Sequence, residues 1–139
     1  MTAEFLQRIA TALPGSVVQI DGTLEAPQIV FDRPITLVGG GLRAAILVSC
    51  QGVVFERMSL LGRDGAPTIR VQSGGAVHLE GCTVEGGTGG ILVDGGDVTA
   101  ARTTVKNVDG DGVTVVSGTL RMHGCTVRSA KGAGVRCTP

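Results

Sequence analysis

Residues 74–95, which read GGAVHLEGCTVEGGTGGILVDG, decide the fold of this chain of 139 residues. Apolar side chains alternate with polar ones in three short runs, at Val77 and Leu79, at Cys82 and Val84, and at Ile91 and Val93. An alternation of two residues is the period of a half-buried β-strand and not of a helix. Glycines between the runs permit tight turns. The stretch therefore predicts three short strands.

The same pattern recurs on both sides of this stretch, with a period of about 22 residues. The neighbouring units are residues 51–73 (QGVVFERMSLLGRDGAPTIRVQS), 96–117 (GDVTAARTTVKNVDGDGVTVVS) and 118–139 (GTLRMHGCTVRSAKGAGVRCTP). Two looser units precede them. Strands with one apolar face cannot bury that face within a single unit, whereas coiling the chain stacks each unit on the last and pairs all strands in parallel. We therefore predict an all-β fold, a right-handed parallel β-helix (solenoid) of five to six coils over residues 17–139.

Alignment of the units also predicts which side chains stack. One inward column contains Ile46, Ile69, Ile91, Val113 and Val135, and another contains Met58, Cys82, Thr103 and Cys125. An outward column on the last strand of each unit contains Ser49, Gln72, Asp94, Val116 and Thr138. Outward Glu85 and Lys106 are expected to pair across neighbouring coils.

Two other repeat folds fit less well. Residues 77–84 also match the centre of a leucine-rich repeat, but that repeat needs a preceding apolar residue where this chain has Gly74, Gly95 and Ser117. A left-handed hexapeptide helix needs an apolar residue at every sixth position, and that pattern is absent from the sequence.

Composition predicts one folded domain over residues 1–139. Hydrophobic residues make up 42% of the chain, which excludes bulk disorder, and 12 basic residues balance 12 acidic ones. Because no net charge or long apolar run draws the chain to nucleic acid or to a membrane, we expect neither as a partner. The four cysteines lack metal-ligand spacing, so we predict no metal, no cofactor and free thiols in a cytoplasmic protein.

The repeats at residues 74–95 and 118–139 resemble the right-handed parallel β-helix repeats of the pectate-lyase-like superfamily. The opening residues 14–41 (PGSVVQIDGTLEAPQIVFDRPITLVGGG) are similar to its first coils. The resemblance implies the fold and a helix that closes the N-terminal end. It does not imply one function, because the superfamily includes lyases, hydrolases, isomerases and non-catalytic shafts.

The two ends of the solenoid are predicted to differ. A short α-helix over residues 3–13, with Phe5, Leu6, Ile9 and Leu13 on one stripe, is expected to cap the first coil. No residues are left to cover the final coil, so its layer is a candidate interface consisting of Leu120, Met122, Cys125, Val127, Val135, Arg136 and Cys137.

We expect a homo-oligomer, in the simplest case a dimer of two C-terminal faces about a two-fold axis, or another protein partner at this end. The charge distribution opposes that symmetric pairing. Residues 112–139 contain four basic residues and no acid, a charge of +4, so residues 1–111 carry −4. An acidic partner or an offset pairing fits this distribution better.

Candidates for chemistry are few. Enzymes of the superfamily resemble one another in clustering acidic residues on one outward face, whereas here Asp94 and Asp97 lie in one turn and Asp109 and Asp111 in another. Outward His78 and His123 are expected to lie in different columns and to share no metal. Cys82 and Cys125 are two coils apart, too far for a disulfide.

The sequence thus favours a non-catalytic structural or protein-interaction module that self-associates through its C-terminal coil. The alternative is a reduced carbohydrate-active enzyme, an acidic polysaccharide lyase or hydrolase, with Asp94, Asp97, Asp109 and Asp111 as the residues to test. A scaffold that polymerises into filaments is a third hypothesis.

Overall fold

A computed structural model describes residues 15–20, 22–62, 67–128, 131–132 and 134–137. Every regular element within these residues is a β-strand. The strands are β1 (Ser16–Gln19), β2 (Thr23–Phe31), β3 (Ile35–Val38), β4 (Gly41–Val48), β5 (Val53–Glu56), β6 (Ser59–Leu61), β7 (Ile69–Gln72), β8 (Ala76–Glu80), β9 (Thr83–Glu85), β10 (Ile91–Ala101), β11 (Thr104–Lys106), β12 (Val113–His123), β13 (Thr126–Arg128) and β14 (Val135–Cys137).

All pairings between these strands are parallel, and they form three stacks that are the faces of the solenoid. The first face stacks β1, β3, β5, β8 and the second halves of β10 and β12. The second face stacks the first halves of β2 and β4 with β6, β9, β11 and β13. The third face stacks the second halves of β2 and β4, then β7, the first halves of β10 and β12, and β14. The predicted parallel β-helix is confirmed, with about five turns.

The predicted inward columns are confirmed by the strand register. Ile46, Ile69, Ile91, Val113 and Val135 are successive partners on the third face. The aligned apolar side chains form one continuous core along the rod, in which Phe31 and Phe55 meet edge to face with ring centroids 5.3 Å apart. Because residues at the same position of each repeat are buried, apolar area is removed from water along the whole rod.

Two details of the predicted strands were wrong. Four of the strands are long because they continue around a corner onto the next face, whereas three separate short strands were expected in each unit. In addition, Asp94 pairs with Ser117 and not with Val116. Val116 is an unpaired residue at a β-bulge, and β10 has the additional residue later in the corner, so that the two strands return to register at Asp97 and Thr119.

Three further predictions are not tested by the described residues. The capping helix over residues 3–13 lies outside them, and both the single domain over residues 1–139 and the cytoplasmic location stay predictions. Among the described residues, no helix is long or apolar enough to span a membrane.

Candidate functional site

The last rung of the solenoid consists of residues 119–123 of β12 together with β13 and β14. Its inward apolar side chains are less covered than their equivalents one rung earlier. Val135 is 47% exposed, whereas its register partner Val113 is fully buried. Four more residues of the predicted interface are half-buried and pack against the core: Leu120, Met122, Cys125 and Val127. The side chains of Arg136 and Cys137 lie outside the described set.

The backbone of the last rung also has a free side. Among the described strands, β13 pairs only with β11, and β14 pairs only with β12. Because neighbouring rungs use the opposite sides of each strand, the far side of β13 and β14 presents unpaired ladder groups in this part of the structure. Such an edge can accept a further strand from another chain.

Ion pairs connect successive rungs elsewhere on the surface. Arg70 contacts Asp94 with 3.1 Å between Nη2 and Oδ2, and Arg102 contacts Glu80. The predicted pair of Glu85 and Lys106 is confirmed, with 3.7 Å between Oε1 and Nζ. These side chains are about a third exposed or more, so each pair contributes at most about 1 kcal/mol to stability.

The outer surface of the last rung has basic side chains. Arg121 and Arg128 are exposed and form no ion pair within the described part of the chain. Lys131 lies beside Asp109, with 2.9 Å between Nζ and Oδ1. A hydrogen bond and the charge of Asp109 raise the pKa of Lys131 above its ordinary value of 10.5.

The four aspartates of the enzymatic alternative do not form one cluster. Asp94 ends the first half of β10, on the third face, and Asp97 begins the second half of β10, on the first face. Asp109 and Asp111 precede β12 at the opposite edge of the third face, about 13 Å away along the strand. Within the described residues, no three His, Cys, Asp or Glu side chains form a group that could hold a metal. Asp94 and Asp109 already pair with Arg70 and Lys131.

A shallow depression on the third face lies beside the Arg70–Asp94 pair. It encloses about 140 Å³ and is lined by Gln28, Ala45, Ile46, Leu47, Pro67, Arg70 and Gln72. Among the described residues of this lining, the one charged group is Arg70, which Asp94 neutralises. The lining therefore lacks the pair of carboxylates that acid–base catalysis of glycoside cleavage requires.

The predicted histidine and cysteine arrangement agrees with the register. His78 lies opposite Thr99, and His123 lies opposite Ala101, so they occupy different outward columns. Cys82 is buried, and its thiol donates a hydrogen bond to the carbonyl oxygen of Phe55 at 3.1 Å. Burial raises the pKa of Cys82 above its ordinary value of 9.0, which favours the unreactive thiol.

Sequence reasoning missed the corner between the first and second faces. Arg57 and Arg102 adopt left-handed backbone conformations there, with φ of 51° and 49°. The equivalent corners of the following rungs are Gly81 and Gly124, and the aliphatic part of each arginine lies over the glycine of the next rung. Arginine and glycine alternate at one position of the repeat, and this alternation could have revealed the left-handed corner.

The repeated parallel coils are similar in sequence to a known family of repeats. Residues 39–139 match the family model described as a right handed beta helix region. Among curated proteins, none matches the chain. The family model agrees with the resemblance to pectate-lyase-like repeats and supplies the handedness of the coil, which is also the hand that parallel crossover connections favour. Since the match covers well over half of the sequence, the chain belongs to the right-handed β-helix family.

Proposed function

We propose that this chain is a non-catalytic interaction module and that its last rung binds a second copy of the chain. The observation that carries the proposal is the exposure of Val135 at 47%, in a column whose previous member, Val113, is fully buried. The half-buried neighbours Leu120, Met122 and Val127 extend this apolar layer.

The backbone supports the same conclusion. Strands β13 and β14 each have one paired side among the described strands, and a strand added to the other side continues the ladder. Hydrogen bonds from such a strand give affinity, and its alternate side chains cover the apolar layer. Exposed apolar area beside an open strand edge is the combination that monomeric proteins avoid.

The distribution of carboxylates favours a binding role over catalysis. Asp94 and Asp109 pair with basic residues and lie at opposite edges of the third face. The lining of the third-face depression offers no acid and base at the separation that glycoside cleavage uses.

The experiment measures the solution mass of the chain by sedimentation equilibrium at micromolar concentration. We expect a mass above that of the monomer, and we expect Val135→Lys to lower the associated fraction because it places a charge in the apolar layer. The matched control is Val17→Lys, since Val17 is a 68% exposed valine on β1 at the other end of the rod.

A folded chain that stays monomeric at this concentration would overturn the proposal. Association that Val135→Lys leaves at the level of the native chain would also overturn it. Circular dichroism of each variant establishes that the fold is intact, so that loss of association is not caused by unfolding.

A further inference from the structure

The ion pairs on this solenoid follow a pattern between rungs. Arg102 contacts Glu80 and Lys106 faces Glu85, so in both pairs the cation lies one rung after its acid. Lys131 and Asp109 repeat this arrangement one rung later. Arg70 and Asp94 have the reverse order, because Arg70 lies one rung before its acid. In three of these four pairs among the described residues, a carboxylate thus neutralises a cation of the next rung.

The last rung departs from this pattern. Arg128 lies directly beside Lys106 in the register of β11 and β13, and like charges in that position destabilise a sheet. Arg121 lies beside uncharged Thr99. Neither arginine has an ion pair within the described residues, and both are exposed. Arg128 therefore lacks the carboxylate that its equivalent Lys106 has, and Arg121 is a second exposed cation without an ion pair in this part of the structure.

A second copy can supply carboxylates only from part of its sequence. Residues 112–139 contain four basic residues and no Asp or Glu, so all 12 acidic residues lie in residues 1–111. If two last rungs met each other about a two-fold axis, Arg121 and Arg128 of one copy would face the same arginines of the other, and residues 112–139 of neither copy would contribute a carboxylate.

We infer that the contact is heterologous: the last rung of one copy, through Arg121 and Arg128, binds carboxylates that lie within residues 1–111 of another copy. This inference rests on the proposed self-association and specifies its geometry. The charges of −4 and +4 on the two parts of the sequence make the chain complementary to itself in this arrangement but not in the symmetric one. A heterologous contact allows assemblies larger than a dimer.

Salt distinguishes the two arrangements by the sign of its effect. Screening weakens attraction between a basic and an acidic surface, and it relieves repulsion between two basic surfaces. We expect the apparent dissociation constant to rise about tenfold between about 0.05 M and about 0.5 M sodium chloride. Sedimentation equilibrium of the full chain measures this constant.

Neutral substitutions give a second test. The double variant Arg121→Gln and Arg128→Gln removes two positive charges, so it weakens a heterologous contact about tenfold and strengthens a symmetric one. The matched control is Arg43→Gln, because Arg43 is an exposed arginine in the outward column of the second face that also contains Arg128. We expect the control not to weaken association, because it removes no cation from the last rung.

The outcomes separate this inference from the proposed function. A monomer at every salt concentration overturns both. Association that is unchanged or strengthened by salt, or by the glutamine variant, leaves self-association intact and overturns the heterologous contact. Association that is weakened by both, with Arg43→Gln unaffected, supports the inference.

Discussion

At the scale of single residues, each buried side chain in the middle of the rod has equivalent positions directly before and after it. Leu79 lies between Phe55 and Ala100 in one inward column, and large and small side chains fill the interior together. A cavity at such a position is enclosed on both sides by neighbouring rungs, which cannot close it without shifting two sets of ladder hydrogen bonds.

Replacing Leu79 therefore tests the core directly. Leu79 is fully buried, and we expect Leu79→Ala to lower the free energy of unfolding by about 2–5 kcal/mol, measured by urea denaturation. The control is Leu92→Ala, because Leu92 is a half-buried leucine that faces outward beside Arg70. Equal losses in the two variants would contradict the assignment of inward and outward columns.

Gly118 gives a second prediction at this scale. Its φ is 100°, and a Cβ atom there would overlap the carbonyl oxygen of Gly96 in the preceding rung. We expect Gly118→Ala to cost about 2 kcal/mol or more, because both the conformation and the close approach exclude a side chain. Gly134→Ala is the control, since a Cβ atom there would meet Val127 at an ordinary 3.8 Å. Comparable urea midpoints for the two variants would refute this account.

At the scale of elements, the turn between the first and second faces has its own hydrogen-bond pattern. The thiols of Cys82 and Cys125 donate to carbonyl oxygens of the preceding rung, those of Phe55 and Ala100. The Thr103 hydroxyl lies 3.5 Å from the equivalent carbonyl oxygen of Leu79 and 3.1 Å from that of Ala101 in its own rung. Small donors at one offset of the repeat thus connect each corner to the strand before it. Donors suit this column because each side chain at the corner lies within reach of a strand carbonyl oxygen of the preceding rung.

The buried thiol in this column predicts a dependence of stability on pH. Burial raises the pKa of Cys82 in the folded chain above its ordinary value of 9.0, so the unfolded chain loses this proton first as the pH rises. The stability that Cys82 contributes is present below pH 9.0 and is lost above it. We expect the difference in unfolding free energy between the native chain and Cys82→Ala to shrink above that pH.

The matched series uses Thr103→Ala, since Thr103 is a buried member of the same column that does not titrate. Urea denaturation at a series of pH values should give a constant difference for this variant. A constant difference for Cys82→Ala as well would show that burial does not govern the ionisation of this thiol.

At the scale of the whole molecule, the rod places similar residues side by side and keeps the acidic turns apart. The length of the third face separates Asp94 from Asp109 and Asp111. The chain passes three corners before it returns to the same edge, and by then it lies one rung further along. Chemistry that needs several converging carboxylates is therefore difficult to build from these turns, whereas binding along a face or at an end is readily available.

Calcium tests the enzymatic alternative at this scale. We expect neither millimolar calcium nor a chelator to change the thermal midpoint, because a calcium ion needs about six to eight oxygen ligands and the two acidic turns lie too far apart to share one. Asp94→Ala and Asp109→Ala should each change the unfolding free energy by less than about 1 kcal/mol. A calcium-dependent rise in the midpoint that either variant abolishes would instead support a polysaccharide-cleaving site.

Much of the fold was predictable because each rung repeats the same pattern of apolar and polar residues. The column from Ile46 to Val135 could be read from spacing alone, as could the pair of Glu85 and Lys106. The bulge at Val116 could not, because it depends on how two adjacent corners fit and not on the pattern within one strand. The left-handed arginines Arg57 and Arg102 were missed because propensity places glycine at such corners.

The sequence by itself determined the repeat, its inward columns and the uneven distribution of charge between residues 1–111 and 112–139, because alternation and composition are properties of order along the chain. Only the tertiary structure decided which carboxylates neutralise which cations, which valines stay exposed at the last rung, and how far apart the acidic turns lie. Those outcomes depend on distances between rungs, and corners and bulges set these distances after the chain has coiled.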